Sequence, residues 1–179
     1  MSTTQFLFAG FGGQGILFSG KFLAYKGLTE DKQVSWLPSY GPEMRGGTAN
    51  CSVIIGDEKI GSPIVDKPDI LIAMNAPSFE KYKDSVKAGG QIYIDSSLIS
   101  AKCDRTDVEA YYIPSTALCS EKGYKGLSNI ILFGSLVKHG NIMLDETVEK
   151  AMKKVIPAKK ADMLGVNLEA FKTGYDFAE

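Results

Sequence analysis

Side chains able to carry redox or metal chemistry are scarce in this chain. Among 179 residues there is one His and one Trp, and the three Cys stand far apart at 51, 103 and 119. Their number is odd and no C-x-x-C pair occurs, so they form neither a disulfide framework nor a zinc or iron–sulfur site. A charge field of one sign is missing as well. The 20 Lys and Arg balance 21 Asp and Glu to a net charge of −1, which disfavours nucleic acid or an anionic membrane as the main partner. Long apolar runs are absent: Ile70 to Met74 and Ile130 to Phe133 fall well short of the ~20 residues of a membrane span. Met1-Ser-Thr-Thr-Gln leads straight into Phe6-Leu7-Phe8-Ala9, without the basic start, long apolar core and small-residue cleavage site of a signal peptide. The expectation is a protein of a reducing, cytoplasmic compartment. A chain of this length forms one domain over 1–179 and buries about 70% of its unfolded surface, so it needs no covalent staple.

Short apolar runs alternate with helical segments, the pattern of a Rossmann-like, mostly parallel α/β sheet with helices on both faces. Strands are expected at Gln5–Ala9, Gln33–Leu37, Asp69–Met74, Gln91–Asp95 and Glu109–Ile113. Helices are expected at Gln14–Leu28, from Pro77 to about Val86, at Ser115–Glu121, Leu127–Lys138, Asp145–Val155 and Lys159–Phe177. Ser115 and Asp145 are candidate N-caps. Thr48–Ile55 alternates in polarity, and Gly56-Asp57 turns towards Lys59 and Ile60, which reads as a hairpin inserted into the sheet. Pro38 to Gly47, dense in Gly and Pro, reads as a loop.

Gly10-Phe11-Gly12-Gly13-Gln14-Gly15 satisfies G-x-G-x-x-G between a strand and a helix, where glycines admit a tight turn and helix N–H groups attract an anion. A dinucleotide is the first hypothesis. The acid that should hold its ribose is absent from the end of the second strand, which reads Leu37-Pro38-Ser39. Glu30 and Asp31 have the spacing but precede that strand. The alternative is a tight crossover whose glycines admit a neighbouring chain or an anion. Gly15-Ile16-Leu17-Phe18-Ser19-Gly20-Lys21 imitates a nucleoside-triphosphate loop, but Phe22 replaces the Mg²⁺-binding hydroxyl and the interior reads as apolar helix. His139-Gly140 reads as a helix C-terminus, Asp69 and Asp95 as end-of-strand caps, and Lys150 to Lys160 as a solvated helix face.

Pro38-Ser39-Tyr40-Gly41-Pro42-Glu43-Met44-Arg45-Gly46-Gly47 sets a carboxylate and a guanidinium two residues apart at the carboxyl end of a strand, the edge where open α/β sheets bind ligands. Together with the glycine loop, Pro63 to Pro68 before Asp69-Ile70-Leu71-Ile72-Ala73-Met74-Asn75, and Gly126-Leu127-Ser128-Asn129-Ile130-Ile131-Leu132-Phe133-Gly134, this segment resembles the gamma subunit of 2-oxoacid:ferredoxin (acceptor) oxidoreductases. Its Tyr-Gly-Pro-Glu-x-Arg-Gly-Gly form is more similar to the 2-oxoglutarate and 2-oxoisovalerate types than to the pyruvate type. A stand-alone nucleotide-binding or regulatory domain is the rival.

The resemblance implies one part of an enzyme that decarboxylates a 2-oxoacid, passes the acyl group to coenzyme A and reduces ferredoxin. It places thiamine diphosphate and Mg²⁺ between alpha and beta subunits, and the iron–sulfur clusters on beta or a small delta subunit. This chain would then bind no cofactor tightly and hold no metal. It would pack beside the active site and help shape the access of coenzyme A. Gly10, Gly12, Gly13, Gly15, Ser39, Tyr40, Gly41, Gly46 and Gly47 would line the cofactor-facing surface. Glu43 and Arg45 would pair with partner charges, or Arg45 would meet a phosphate or carboxylate. Asn129 would donate into the same crevice or simply cap its helix. An isolated chain, left with an uncovered apolar patch, could self-associate.

Overall fold

The computed structural model describes residues 3–40, 48–140 and 145–177. Phe6-Leu7-Phe8-Ala9 is apolar on both sides of its pleat, and the strand that contains it, β1 (Thr4–Phe11), lies inside a six-stranded sheet. With β2 (Gln33–Tyr40), β3 (Thr48–Gly56), β4 (Ile70–Ala73), β5 (Gln91–Asp95) and β6 (Glu109–Ile113), the order is β2-β3-β1-β4-β5-β6. The β1–β4, β4–β5 and β5–β6 pairs are parallel, while β3 runs antiparallel to both of its neighbours.

The period of two divides the core. Phe6, Phe8, Ile70, Ile72 and Tyr93 face one side, while Leu7, Ala9, Leu71, Ala73, Ile92 and Ile94 face the other. The first side carries α1 (Ile16–Thr29) and α4 (Ser128–Gly140), with α3 (Ser115–Glu121), α5 (Val148–Val155) and α6 (Leu164–Tyr175) joining the same core. The second carries α2 (Ala76–Tyr82), followed by a 3₁₀ turn at Lys83–Ser85.

The inserted hairpin is present with a different partner from the one the turn at Gly56-Asp57 suggested. Strand β3 ends at Gly56 and pairs backwards with β2, from Gln33↔Gly56 to Tyr40↔Ala49. The alternation of Val34 and Trp36 matches Ile55 and Val53 across the ladder, and this shared face packs on α1. Pro38, Ser39 and Tyr40 therefore belong to β2 instead of a loop. Pro38 is tolerated because β2 is an edge strand, where a missing N–H need not break the ladder.

Several expected helix ends shift for identifiable reasons. Asn75 caps α2 by accepting from Ser78 N at 2.8 Å. Ser115 makes no cap bond; instead the Asp95 carboxylate reaches the first turn of α3 through Thr116 N and Oγ1. Asp145–Thr147 is a 3₁₀ turn preceding α5, and Thr147 spends its hydroxyl on Glu30. The helix expected over Lys159–Phe177 is split into a 3₁₀ segment, Ala158–Met163, and α6, with the backbone breaking at Lys160. Lys26 and Glu30, both buried, pair at 2.6 Å and with Thr147 tie α1 to the start of α5. Gly134 of α4 lies against the Phe171 carbonyl, and Gly174 of α6 against the Ile131 carbonyl, so these two helices meet backbone to backbone. None of the described helices is long and apolar enough to cross a membrane.

Candidate functional site

The chain leaves β1 towards α1 on one face and β4 towards α2 on the other, so the carboxyl ends of β1 and β4 form a topological switch point, the usual crevice of open α/β sheets. The glycine loop occupies it. Gly13 has φ +97 and Gly15 has φ +77, the left-handed region that side-chain-bearing residues adopt at a cost. Gln14 closes the loop: its Oε1 accepts from Phe11 N at 2.6 Å and its Nε2 donates to Met74 O at 2.8 Å. One amide thus fastens the turn to itself and to the end of β4. Gln14 was not among the sequence candidates, although a polar residue enclosed by glycines was the available signal.

Asn129, in the first turn of α4, does not cap that helix. Its Nδ2 donates to Gly15 O at 3.2 Å and to Ser19 Oγ at 3.0 Å, bracing α4 against the start of α1. Among the described residues, three buried polar atoms have no hydrogen-bond partner: Asn75 Nδ2, Ser115 Oγ and Asn129 Oδ1. All three residues follow the carboxyl edge of the sheet, at the end of β4, the end of β6 and the start of α4. Sequence reasoning assigned no role to Asn75 and expected Ser115 only as an N-cap, since an unsatisfied atom has no sequence signature.

The register places Tyr40, Ala49 and Gly10 in one row across β2, β3 and β1, with Ser39, Asn50 and Ala9 in the next. Ser39 and Tyr40 therefore reach the glycine-loop edge, two strand spacings, or about 10 Å, from β1. Gly41, Glu43, Arg45, Gly46 and Gly47 lie outside the described residues. The insertion of β3 also explains why the dinucleotide fingerprint is incomplete. In the fingerprint's fold the second strand adjoins the first and delivers the ribose-binding acid; here β3 stands between them. Glu30 is paired with Lys26, and Asp31, at φ 57, makes the turn after α1.

The cysteine chemistry does not suit an iron–sulfur cluster. Cys51 is fully buried under α1, and burial pushes its thiol up to about 12. Cys119 is bonded to the Tyr124 carbonyl, and Cys103 is half-buried elsewhere. Among the described residues, no group of three or more His, Cys, Asp and Glu is gathered that could hold a metal.

Comparison with known proteins gives this arrangement a family. Residues 5–177 match the family described as pyruvate ferredoxin/flavodoxin oxidoreductase. The 2-oxoglutarate synthase subunit KorC of Methanocaldococcus jannaschii is 39% identical over 174 residues, which cover 96% of this chain and 91% of that protein. The ketoisovalerate oxidoreductase subunit VorA of Methanothermobacter thermautotrophicus is 38% identical over 95% of this chain, which spans only 35% of VorA. Among solved structures, the gamma subunit of a keto/oxoacid ferredoxin oxidoreductase from Geobacter sulfurreducens superposes with a TM-score of 0.80 at 28% identity, covering 97% of this chain and 96% of that one. The 2-oxoglutarate:ferredoxin oxidoreductase of Magnetococcus marinus, solved with 2-oxoglutarate, coenzyme A and succinyl-CoA bound, superposes with a TM-score of 0.86 at 27% identity, covering 97% of this chain but 30% of that one. The chain belongs to the pyruvate ferredoxin/flavodoxin oxidoreductase family and has the fold of its gamma subunits.

Proposed function

We propose that this chain is the gamma subunit of a 2-oxoacid:ferredoxin oxidoreductase of the 2-oxoglutarate or branched-chain type, and that it forms one wall of an active site completed by separate alpha and beta chains. The observation that carries the proposal is the likeness to KorC, 39% identical over 96% of this chain and 91% of that protein. The alpha and beta partners would hold thiamine diphosphate with Mg²⁺ and the clusters, a division that suits the dispersed cysteines and the buried Cys51 of the described residues.

Within such a complex, the residues of this chain bind and orient. The glycine loop, fastened by Gln14, lines the crevice at the carboxyl ends of β1 and β4. Asn129 fixes the angle between α1 and α4 behind it. By the resemblance, Arg45 would take a phosphate or carboxylate of coenzyme A or of the partner chain, and Glu43 a partner cation. Gly10, Gly12, Gly13 and Gly15, with Ser39, Tyr40, Gly41, Gly46 and Gly47, would let the co-substrate or the partner backbone approach closely.

Coexpression with candidate alpha and beta chains from the same genome tests the reading. The expected result is a complex that reduces ferredoxin only when 2-oxoacid and coenzyme A are both supplied, with 2-oxoglutarate and 2-oxoisovalerate compared as substrates. Failure to copurify, or tight binding of NAD or ATP by the isolated chain in calorimetry, would overturn it in favour of a stand-alone nucleotide-binding domain.

A further inference from the structure

The sheet ends on one side at β2, an edge of eight residues that carries no charged side chain. Edge strands are commonly blunted by lysines or proline, and here only Pro38 serves that purpose. The direction of the free backbone groups follows from the register. Gln5 O and Ala9 O accept from Asp69 N and Met74 N, which flank β4, so the odd residues of β1 face β4 and Phe6, Phe8 and Gly10 face β3. Their partners Val53, Cys51 and Ala49 are thereby committed to β1. Ser52, Ile54 and Asn50 are left to bond Leu37, Ser35 and Ser39. Val34, Trp36, Pro38 and Tyr40 therefore turn their backbone groups away from the sheet, and among the described residues no strand lies beyond them.

Apolar side chains gather at the same edge. Trp36 and Leu37 are 37% and 41% exposed on its two faces, and Leu28 of α1 is 53% exposed. Helix α1 sits on the β2–β3 seam, with Gly20 against Trp36 and Cys51 and Gly27 against Val34 and Ile55. Leu17, Lys21, Ala24 and Leu28 recur at i, i+4, i+7 and i+11, on the flank opposite Ser19 and Lys26, which meet α4 and the start of α5. That flank faces outward beyond β2. Its one charge, on Lys21, lies 5.8 Å from the centre of the Tyr25 ring.

We infer that a second copy of this chain binds here, β2 pairing antiparallel with its counterpart about a two-fold axis at Leu37. Such an axis demands a self-complementary edge, and this register supplies one. Val34 and Tyr40 of opposite copies exchange both bonds, and Trp36 N–H donates to Pro38 O. On each copy only the Trp36 carbonyl, facing the Pro38 ring, is left unpaired. Leu37 meets Leu37 across the axis. A strand spacing of about 4.8 Å puts the two α1 helices, each over its own seam, about 10 Å apart, where helices pack. The joined face is about 24 Å long and 20 Å high, so close to ~1,000 Å² is buried in total, the lower bound of a specific interface. The dimer is therefore weak and reversible. It is carried by this chain alone and does not rest on the proposed function.

Sedimentation equilibrium of the isolated chain from about 1 to 200 μM tests the inference, with a monomer–dimer equilibrium expected. Leu37→Lys sets two ammonium groups opposite one another and should raise the dissociation constant at least about tenfold, with circular dichroism unchanged. Leu98→Lys makes the same change at a residue 46% exposed beyond β5, about four strand spacings from β2, and should leave the equilibrium as it is. Leu37→Cys should give, on mild oxidation, a covalent dimer joined 37 to 37 by peptide mapping, because directly opposed residues of a non-hydrogen-bonded pair have Cα atoms about 4.5 Å apart. A monomer at every concentration, a dimer indifferent to Leu37→Lys, one weakened equally by Leu98→Lys, or oxidised dimers joined only through Cys103 would each overturn the inference. If the chain stays monomeric and Leu37→Lys instead abolishes copurification with an alpha chain, the edge belongs to that chain, and this inference falls while the proposed function stands.

Discussion

Asn129 Nδ2 lies 3.2 Å from the Gly15 carbonyl oxygen, joining two positions 114 residues apart in the chain. The contact leaves no room beside Gly15: a Cβ there would come within 2.5 Å of the same nitrogen. Gly13 differs, because a Cβ on it would meet nothing within 4 Å. Both have positive φ, at +77 and +97. The pair therefore separates backbone strain from steric overlap.

Gly13→Ala should pay only for strain, about 1–2 kcal/mol. Gly15→Ala should add displacement of Asn129 and lose at least a further ~1 kcal/mol, the net worth of a typical hydrogen bond. Urea unfolding monitored by circular dichroism checks this, and equal losses for the two variants would show that the Asn129 clamp is not rigid.

A second close approach gives a stability prediction away from the site. Gly174 abuts the Ile131 carbonyl and Gly134 the Phe171 carbonyl, so a methyl group at either position overlaps backbone and cannot be relieved by a side-chain rotation. Each single Ala substitution should cost about 3 kcal/mol or more, at the upper end of overpacking penalties. The double variant should lose less than the sum, because one separation of α4 from α6 relieves both overlaps. Additive losses in denaturant melts would contradict the shared contact.

The fold was largely legible in the sequence, and the reasons are local. Phe6 to Ala9 and Ile70 to Ala73 are apolar at consecutive positions, which only a doubly covered strand explains, and the glycine loop marks the β1–α1 crossover. The hairpin was readable but its partner was not. Gly56-Asp57 is a good local turn, yet pairing β3 with β2 buries Val53 and Ile55 beside Val34 on α1, a tertiary gain that local turn chemistry cannot reveal. Helix caps failed similarly, since Asp95 serves α3 from another strand and Thr147 serves a buried ion pair. At the site, the glycines were visible as a motif, whereas Gln14 and Asn75 acquire their importance only once β1 and β4 lie side by side.

Cysteine reactivity should follow burial. Cys51 is 0% exposed and its thiol is raised to about 12, so at pH 8 it stays protonated and out of reach. Cys119 is buried against Tyr124, while Cys103 is partly exposed. A chromogenic disulfide reagent should therefore label one thiol readily in the native chain and three after denaturation. Raising the pH from 7 to 9 should leave Cys51 unreactive, because its thiol stays protonated across that range. Native labelling of Cys51 located by peptide mapping would mean that α1 opens far more readily than its packing indicates.

Glu43 and Arg45 stand between Tyr40 and Thr48, the two points at which the described chain meets the glycine-loop edge. If Arg45 meets an anionic group of coenzyme A in the assembled enzyme, Arg45→Ala removes a charge-assisted contact of about 1.5–3 kcal/mol, or roughly a ten- to hundredfold rise in KM for coenzyme A. The KM for the 2-oxoacid should move little, because that pocket is assigned to the partner chains. Arg45→Lys should recover part of the loss, since it restores the charge without the planar fork of donors. The effect should shrink as ionic strength rises, because screening weakens the wild-type contact. If Arg45 instead meets a partner carboxylate, the same substitution lowers the fraction of gamma chain retained on size-exclusion chromatography and leaves KM for coenzyme A unchanged. An Arg45→Ala complex with wild-type assembly and wild-type KM would remove Arg45 from both roles.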